Sequence, residues 1–182
     1  MNNDEFLILK KELGKKSYLT DEEFEKYKPV LIECLKSQEK AEVRKKCSNS
    51  FNMQNEDLPD EEWRQHPGDG WKNYQISNLG RGKHKGEIVP QKDKEGQGTG
   101  WLIFDGDNFK NSVETGTYVY RMVAETFKNI DNIKKLSPNV QYEVHHINNN
   151  GYENTPENLI WLTKEQHTYI HKAGREAKSG LI

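Results

Sequence analysis

Four of the six histidines in this 182-residue chain fall between His145 and His171, in the order H-H-x11-N-x8-H-x3-H, with Asn158 as the central polar member. Imidazole changes charge near neutral pH, accepts protons when neutral, and is the commonest ligand of divalent metals. The spacing restricts which of these uses are open to each residue. His167 and His171 stand at i, i+4, one above the other if the segment is helical, which suits two imidazoles on one ion. His145 and His146 are neighbours in "QYEVHHI", which reads as a strand, so their side chains point to opposite faces. They are therefore not two equivalent ligands of one metal. Spacing alone leaves open which of the two binds and which does something else.

These residues need elements to hold them. "QYEVHHI" is the first strand, and "NNNGYENTPE" is a loop in which Asn150-Gly151 favours positive φ and a tight reversal. "NLIWL" is a second strand, apolar enough to be buried. Thr163 and Gln166 then stand in capping-box spacing and open a helix expected to end near Gly174, a good residue just past a helix C-terminus. A strand–loop–strand–helix unit with ligands on the first strand and on the helix is self-consistent. Any one of these histidines is an ordinary surface or edge residue by itself; together they point to a metal site.

The stretch "EVHHINNNGYENTPENLIWLTKEQHTYIH" resembles the ββα-metal core of HNH endonucleases, of the group found in phages and mobile introns. The segment upstream, "EEWRQHPGDGWKNYQISNLGRGKHKGEIVPQ", is similar to the nuclease-associated modular domain that often precedes that core, and "YRMVAETF" to the helix between the two. The resemblance covers about residues 61–172. It implies a homing-type, metal-dependent DNA endonuclease that nicks or cleaves duplex DNA to leave 5′-phosphate and 3′-hydroxyl ends. His145 would ligate the metal and His146 would be the general base, with Asn158 bracing the loop and orienting that base. His167 would be the second ligand, and His171 the third seen in the histidine-rich branch. It further implies a chain encoded by a phage or mobile element and working in the cytoplasm of a bacterial host. Departures are His145 where Asn or Asp is commoner, "GRGKHKG" in place of "GRVRS", and Tyr120 rather than His before Arg121.

Hydrolysis of a phosphodiester needs an in-line water, a base and a charge sink for the leaving oxygen. One divalent ion and one neutral imidazole, with a pKa of about 6.5, supply the last two. Histidine-rich ligation suits Zn, Ni or Mn, while Mg remains compatible if the DNA phosphate contributes oxygens. The competing reading is a non-catalytic DNA-binding or phage-assembly module whose metal is a structural staple.

The rest of the chain gives an α+β class in three segments. Residues 1–57 form a helical N-terminal extension and linker. Residues 58–113 form a small β-rich, nuclease-associated module, and residues 114–182 the ββα-metal core. In the first segment Thr20 and Glu23 form a capping box; Phe24, Tyr27, Leu31 and Leu35 follow at helical intervals; Pro29 predicts a kink or a fresh start. That segment carries no chemistry and is expected to pack or to bind a protein partner or second copy. "SNSFNMQNEDLPDE" (48–61) reads as a linker.

Net charge is −2 and mean hydropathy −1.05, which argues against a dedicated nucleic-acid coat protein. No apolar run approaches the roughly 18 residues of a membrane span. The acidic start "MNNDEF" is unlike a signal peptide, and Cys34 and Cys47 read as unpaired thiols in a reducing compartment. Only "RGKHKG" (81–86) concentrates positive charge, as a solvated loop or a phosphate contact. Arg81, Lys83 and Lys85, with Arg121, Lys164 and Lys172 around the core, are the candidate DNA contacts. Trp71 and Tyr74 read as core of the β-rich module rather than as base-stacking residues.

Overall fold

The computed structural model describes residues 3–36, 41–94, 101–105, 118–129 and 137–180. The glycine-rich stretch at 95–100 and most of the segment before 137 lie outside the described residues, as does Thr117, just before the segment that holds "YRMVAETF". The fold mixes helix and sheet. The chain forms two compact units: one of residues 1–39, 129–149 and 157–182, the other of 40–128 and 150–156. These units do not follow the three sequence segments.

Among the described residues the first unit is built on a hairpin and three helices. β7 (Tyr142–His146) pairs antiparallel with β8 (Leu159–Thr163), setting His145 opposite Ile160 and His146 opposite Leu159. Helix α5 (Lys164–Lys178) follows directly, opened by Thr163, whose hydroxyl accepts from Gln166 N while the Gln166 side chain accepts from Thr163 N. Against it packs α2 (Asp21–Lys36), while α1 (Asn3–Lys15) lies against β8, so this part of the N-terminal extension is built into the unit that holds the histidines. Leu13, Leu19, Phe24, Tyr27, Leu31 and Leu35 share one core with Ile147, Ile160, Leu162 and Ile170. Thr20 and Glu23 cap α2, each backbone N–H bonded to the other's side chain. The helix runs through Pro29 without a break. Losing one backbone bond costs about 3 kcal/mol, while Tyr27 and Leu31 on either side each bury a side chain worth roughly 1.5–3 kcal/mol.

Two local readings change. Gly174 does not end α5; it lies inside the helix, where an added Cβ would stand 2.7 Å from Leu35 Cδ1 and 2.9 Å from Leu35 Cβ. Its lack of a side chain serves helix–helix approach. The positive φ of the β7–β8 loop falls on Asn149 (56°), whose N–H donates to His146 O, rather than on Asn150-Gly151.

The second unit holds a four-stranded antiparallel sheet, β1 (Trp63–Gln65), β2 (Tyr74–Ser77), β3 (Gly82–His84) and β4 (Glu87–Ile88), in sequential order. A separate pair, β5 (Gln91–Asp93) and β6 (Leu102–Phe104), and two helices, α3 (Ala41–Lys46) and α4 (Val119–Phe127), complete it. Tyr74 is buried, and Trp71 packs edge-on against it at 4.9 Å. Residues 48–61, read as a linker, are tied down. Ser50 is buried, and Arg81 bonds the carbonyls of Gln54 and Glu56. Both cysteines are free thiols; burial pushes Cys34 up to about 11. Among the described residues no helix is long and apolar enough to cross a membrane.

Candidate metal centre

Strand alternation turns Glu143 and His145 to one face of β7 and His146 to the other. The helix packed on the hairpin brings His167 and His171 to the first of these faces. The potential ligand nitrogens of His145, His167 and His171 all lie within 4.8 Å of one another. The three rings meet edge to face, with centroids 5.4 Å apart for His145–His167, 5.3 Å for His145–His171 and 4.5 Å for His167–His171.

The electrostatics of this cluster fit a cation. His145 is 2% exposed, and its Nε2 is buried with no hydrogen-bond partner. Leaving such an atom unsatisfied costs about 1–3 kcal/mol. Burial, with the neighbouring imidazoles, holds His145 well below the usual histidine range. The same causes, burial first, bring His171 down to about 4, with the Arg175 guanidinium adding to the effect. Low-pKa, neutral imidazoles facing a common point are what a divalent ion requires. His167 is oriented from behind: its Nδ1 lies 2.5 Å from Glu143 Oε2. An ionised carboxylate can only accept, so the proton belongs on Nδ1 and the lone pair on Nε2, which faces His171 Nε2 at 3.0 Å.

Glu143 was not singled out in the sequence. Its signal was available: it stands two residues before His145, hence on the same strand face.

Residues 137–169 match the family model for HNH endonuclease.

No curated protein and no solved structure matches the chain. The HNH match spans His145, His146, Asn158 and His167 and stops just short of His171. It supports a nuclease acting on DNA.

Within the matched segment His146 is half-buried at the end of β7. Asn158, fully buried, bonds the chain that leaves it: its Oδ1 accepts from Asn148 N at 3.1 Å and its carbonyl from Ile147 N at 2.8 Å. Asn158 thus fixes the backbone immediately after His146.

The candidate DNA contacts divide. Arg81 is corrected outright. It is fully buried, paired with the equally buried Glu61, and lies beneath Trp63, so its guanidinium does not reach the surface where a phosphate would bind. Its bonds to Gln54 O and Glu56 O make it a clamp on the preceding segment. Lys83 is largely covered, 2.8 Å from Asp57 and 4.0 Å from the centre of the Trp63 ring. Lys85 is exposed at a turn with φ 52°. Arg121 bonds Glu125 at 2.8 Å. On α5, Lys164 is exposed and reaches only the neutral Gln141, at 3.3 Å, while Lys172 stands 3.9 Å from Glu176.

Proposed function

We propose that the chain is a metal-dependent DNA endonuclease with an HNH-type ββα-metal centre. In this reading His145, His167 and His171 hold one divalent ion and His146 is the general base. The observation that carries it is the buried Nε2 of His145, inside the HNH match, without a hydrogen-bond partner and close to the imidazoles of His167 and His171.

Each residue has a distinct task. Burial keeps His145 and His171 deprotonated at neutral pH, so both lone pairs are available for ligation. Glu143 keeps the His167 proton on Nδ1 and leaves Nε2 for the ion. When bound, the ion supplies charge stabilisation for the phosphate oxygens and the departing 3′-oxygen. His146, on the opposite strand face, removes a proton from the attacking water. The water oxygen then bonds to phosphorus while the P–O3′ bond breaks, and the departing 3′-oxygen takes a proton from solvent, giving 5′-phosphate and 3′-hydroxyl ends. Asn158 is a positioning residue, holding residues 147–148 so that the end of β7 cannot drift. The resemblance to phage and mobile-intron nucleases makes the bacterial cytoplasm the proposed place of action.

A plasmid-nicking assay tests this. With divalent metal the wild type should nick, and His146→Ala should lose about 10²–10⁴-fold in rate, the usual contribution of a general base. His146→Ala should still bind zinc. A chelator should abolish activity in both. Equal nicking in wild type, variant and chelated protein would end the proposal.

A further inference from the structure

The histidine face of α5 continues past the metal centre as a line of cations. At 100° per residue, Lys164, His167, His171, Arg175 and Lys178 fall within an arc of about 80° on one side of the helix. Beside the histidines, the positive charges on this line are those of Lys164, Arg175 and Lys178. Among the described residues Lys164 meets an uncharged amide, and Arg175 and Lys178, both exposed, have no acidic partner. Lys172, off this line, is paired with Glu176. Many cations elsewhere are paired too: Lys16, Lys28, Lys36, Arg64, Arg81, Lys83, Lys92 and Arg121 each meet a carboxylate. What sets Lys164, Arg175 and Lys178 apart is their place, on one side of one helix in line with His167 and His171.

We propose that Arg175, with Lys178 beyond it and Lys164 at the opposite end, forms a phosphate rail that lays one nucleic-acid strand along α5 across the His145–His167–His171 cluster. The inference rests on the nuclease reading and deepens it by giving a direction in which substrate crosses the site. Arg175 stands one helical turn, about 5–6 Å, beyond His171, close enough that its charge is felt at that imidazole. Its fork of donors suits a phosphate adjoining the one being cut. Arg175 is a positioning residue on this account, since it grips a phosphate that does not react.

The test is the salt dependence of binding. Zinc-loaded protein carrying His146→Ala, so that the probe survives, is titrated with a labelled DNA duplex at several KCl concentrations. Each phosphate contact contributes about 0.9 to the slope of log K against log salt. Adding Arg175→Gln should lower the slope by about 1, Arg175→Lys should keep it, and Lys26→Gln on α2 should leave it unchanged. With His146 intact, KM for nicking should rise several-fold with Arg175→Gln, with a smaller change in kcat. Zinc affinity and melting temperature should stay as in the parent, separating this role from a structural one. An unchanged slope with Arg175→Gln, or an equal loss with Lys26→Gln, would overturn the rail. If the wild type cuts nothing with any metal, the nuclease reading fails, and the slope still decides the rail.

Discussion

At the scale of single residues, the candidate metal centre rests on imidazoles that burial keeps neutral and on one carboxylate that orients His167. Glu143 is the sharpest case. Removing it with Glu143→Ala frees the His167 ring and its tautomer, and zinc affinity should drop about 10–100-fold, with Glu143→Gln intermediate. Competition against a chelating dye measures this, and equal affinity for all three would show that the 2.5 Å contact is incidental. The depressed histidines make a second prediction. In the unfolded chain His145 and His171 protonate near about pH 6.5, whereas in the fold His171 does so only at about 4 and His145 lies well below its usual range. The unfolded state therefore binds more protons in that window, so stability is lost as pH falls through it. The melting temperature of metal-free protein should be flat above about pH 6.5 and decline steadily as pH falls through the folded-state value. A flat profile down to that value would contradict the burial-driven shifts. Arg81 teaches the converse: its charge is spent internally on Glu61, whose own carboxyl is held low despite burial.

At the scale of elements, helix–helix contact decides one glycine. Gly174→Ala would gain about 1 kcal/mol of helix propensity, but the new methyl meets both Cβ and Cδ1 of Leu35, and overpacking a tight contact costs about 1–3 kcal/mol. A net loss of roughly 1 kcal/mol should appear in urea unfolding, and a gain would mean that α2 yields. This glycine also marks where sequence reasoning stops. Alternation in "EVHHI" and the four-residue step from His167 to His171 are local periodicities, so the face each residue occupies was legible. The Thr163 cap was legible for the same reason. Gly174 looked like a helix end because a single glycine carries no record of what approaches it. Arg81 looked like a DNA contact because its partner lies 20 residues away in "PDEE". The apolar stripe of α2 announced a buried face but not its cover, α5, more than a hundred residues later.

At the scale of the whole chain, the N-terminal helices are part of the unit that carries the histidines. Leu13, Leu19, Phe24, Tyr27, Leu31 and Leu35 supply more than half of that core. At about 1.5–3 kcal/mol for each such side chain, their loss is of the order of 10 kcal/mol, comparable with the full 5–15 kcal/mol stability of an ordinary domain. Deleting residues 1–36 should therefore abolish cooperative melting and zinc binding together. A truncated chain that melts cooperatively and still binds zinc would refute this. The same segment does something that core burial does not describe. Trp161 N donates to Ser17 O, and Tyr18 bridges Trp161 in parallel, so the outer edge of β8 is already occupied. "LIWL" is a short, wholly apolar strand of the kind that recruits copies of itself when its edge is bare. Residues 17–18 act as a guard rail on that strand, and a nascent or clipped chain without them would be exposed first to self-association, before any question of catalysis arises.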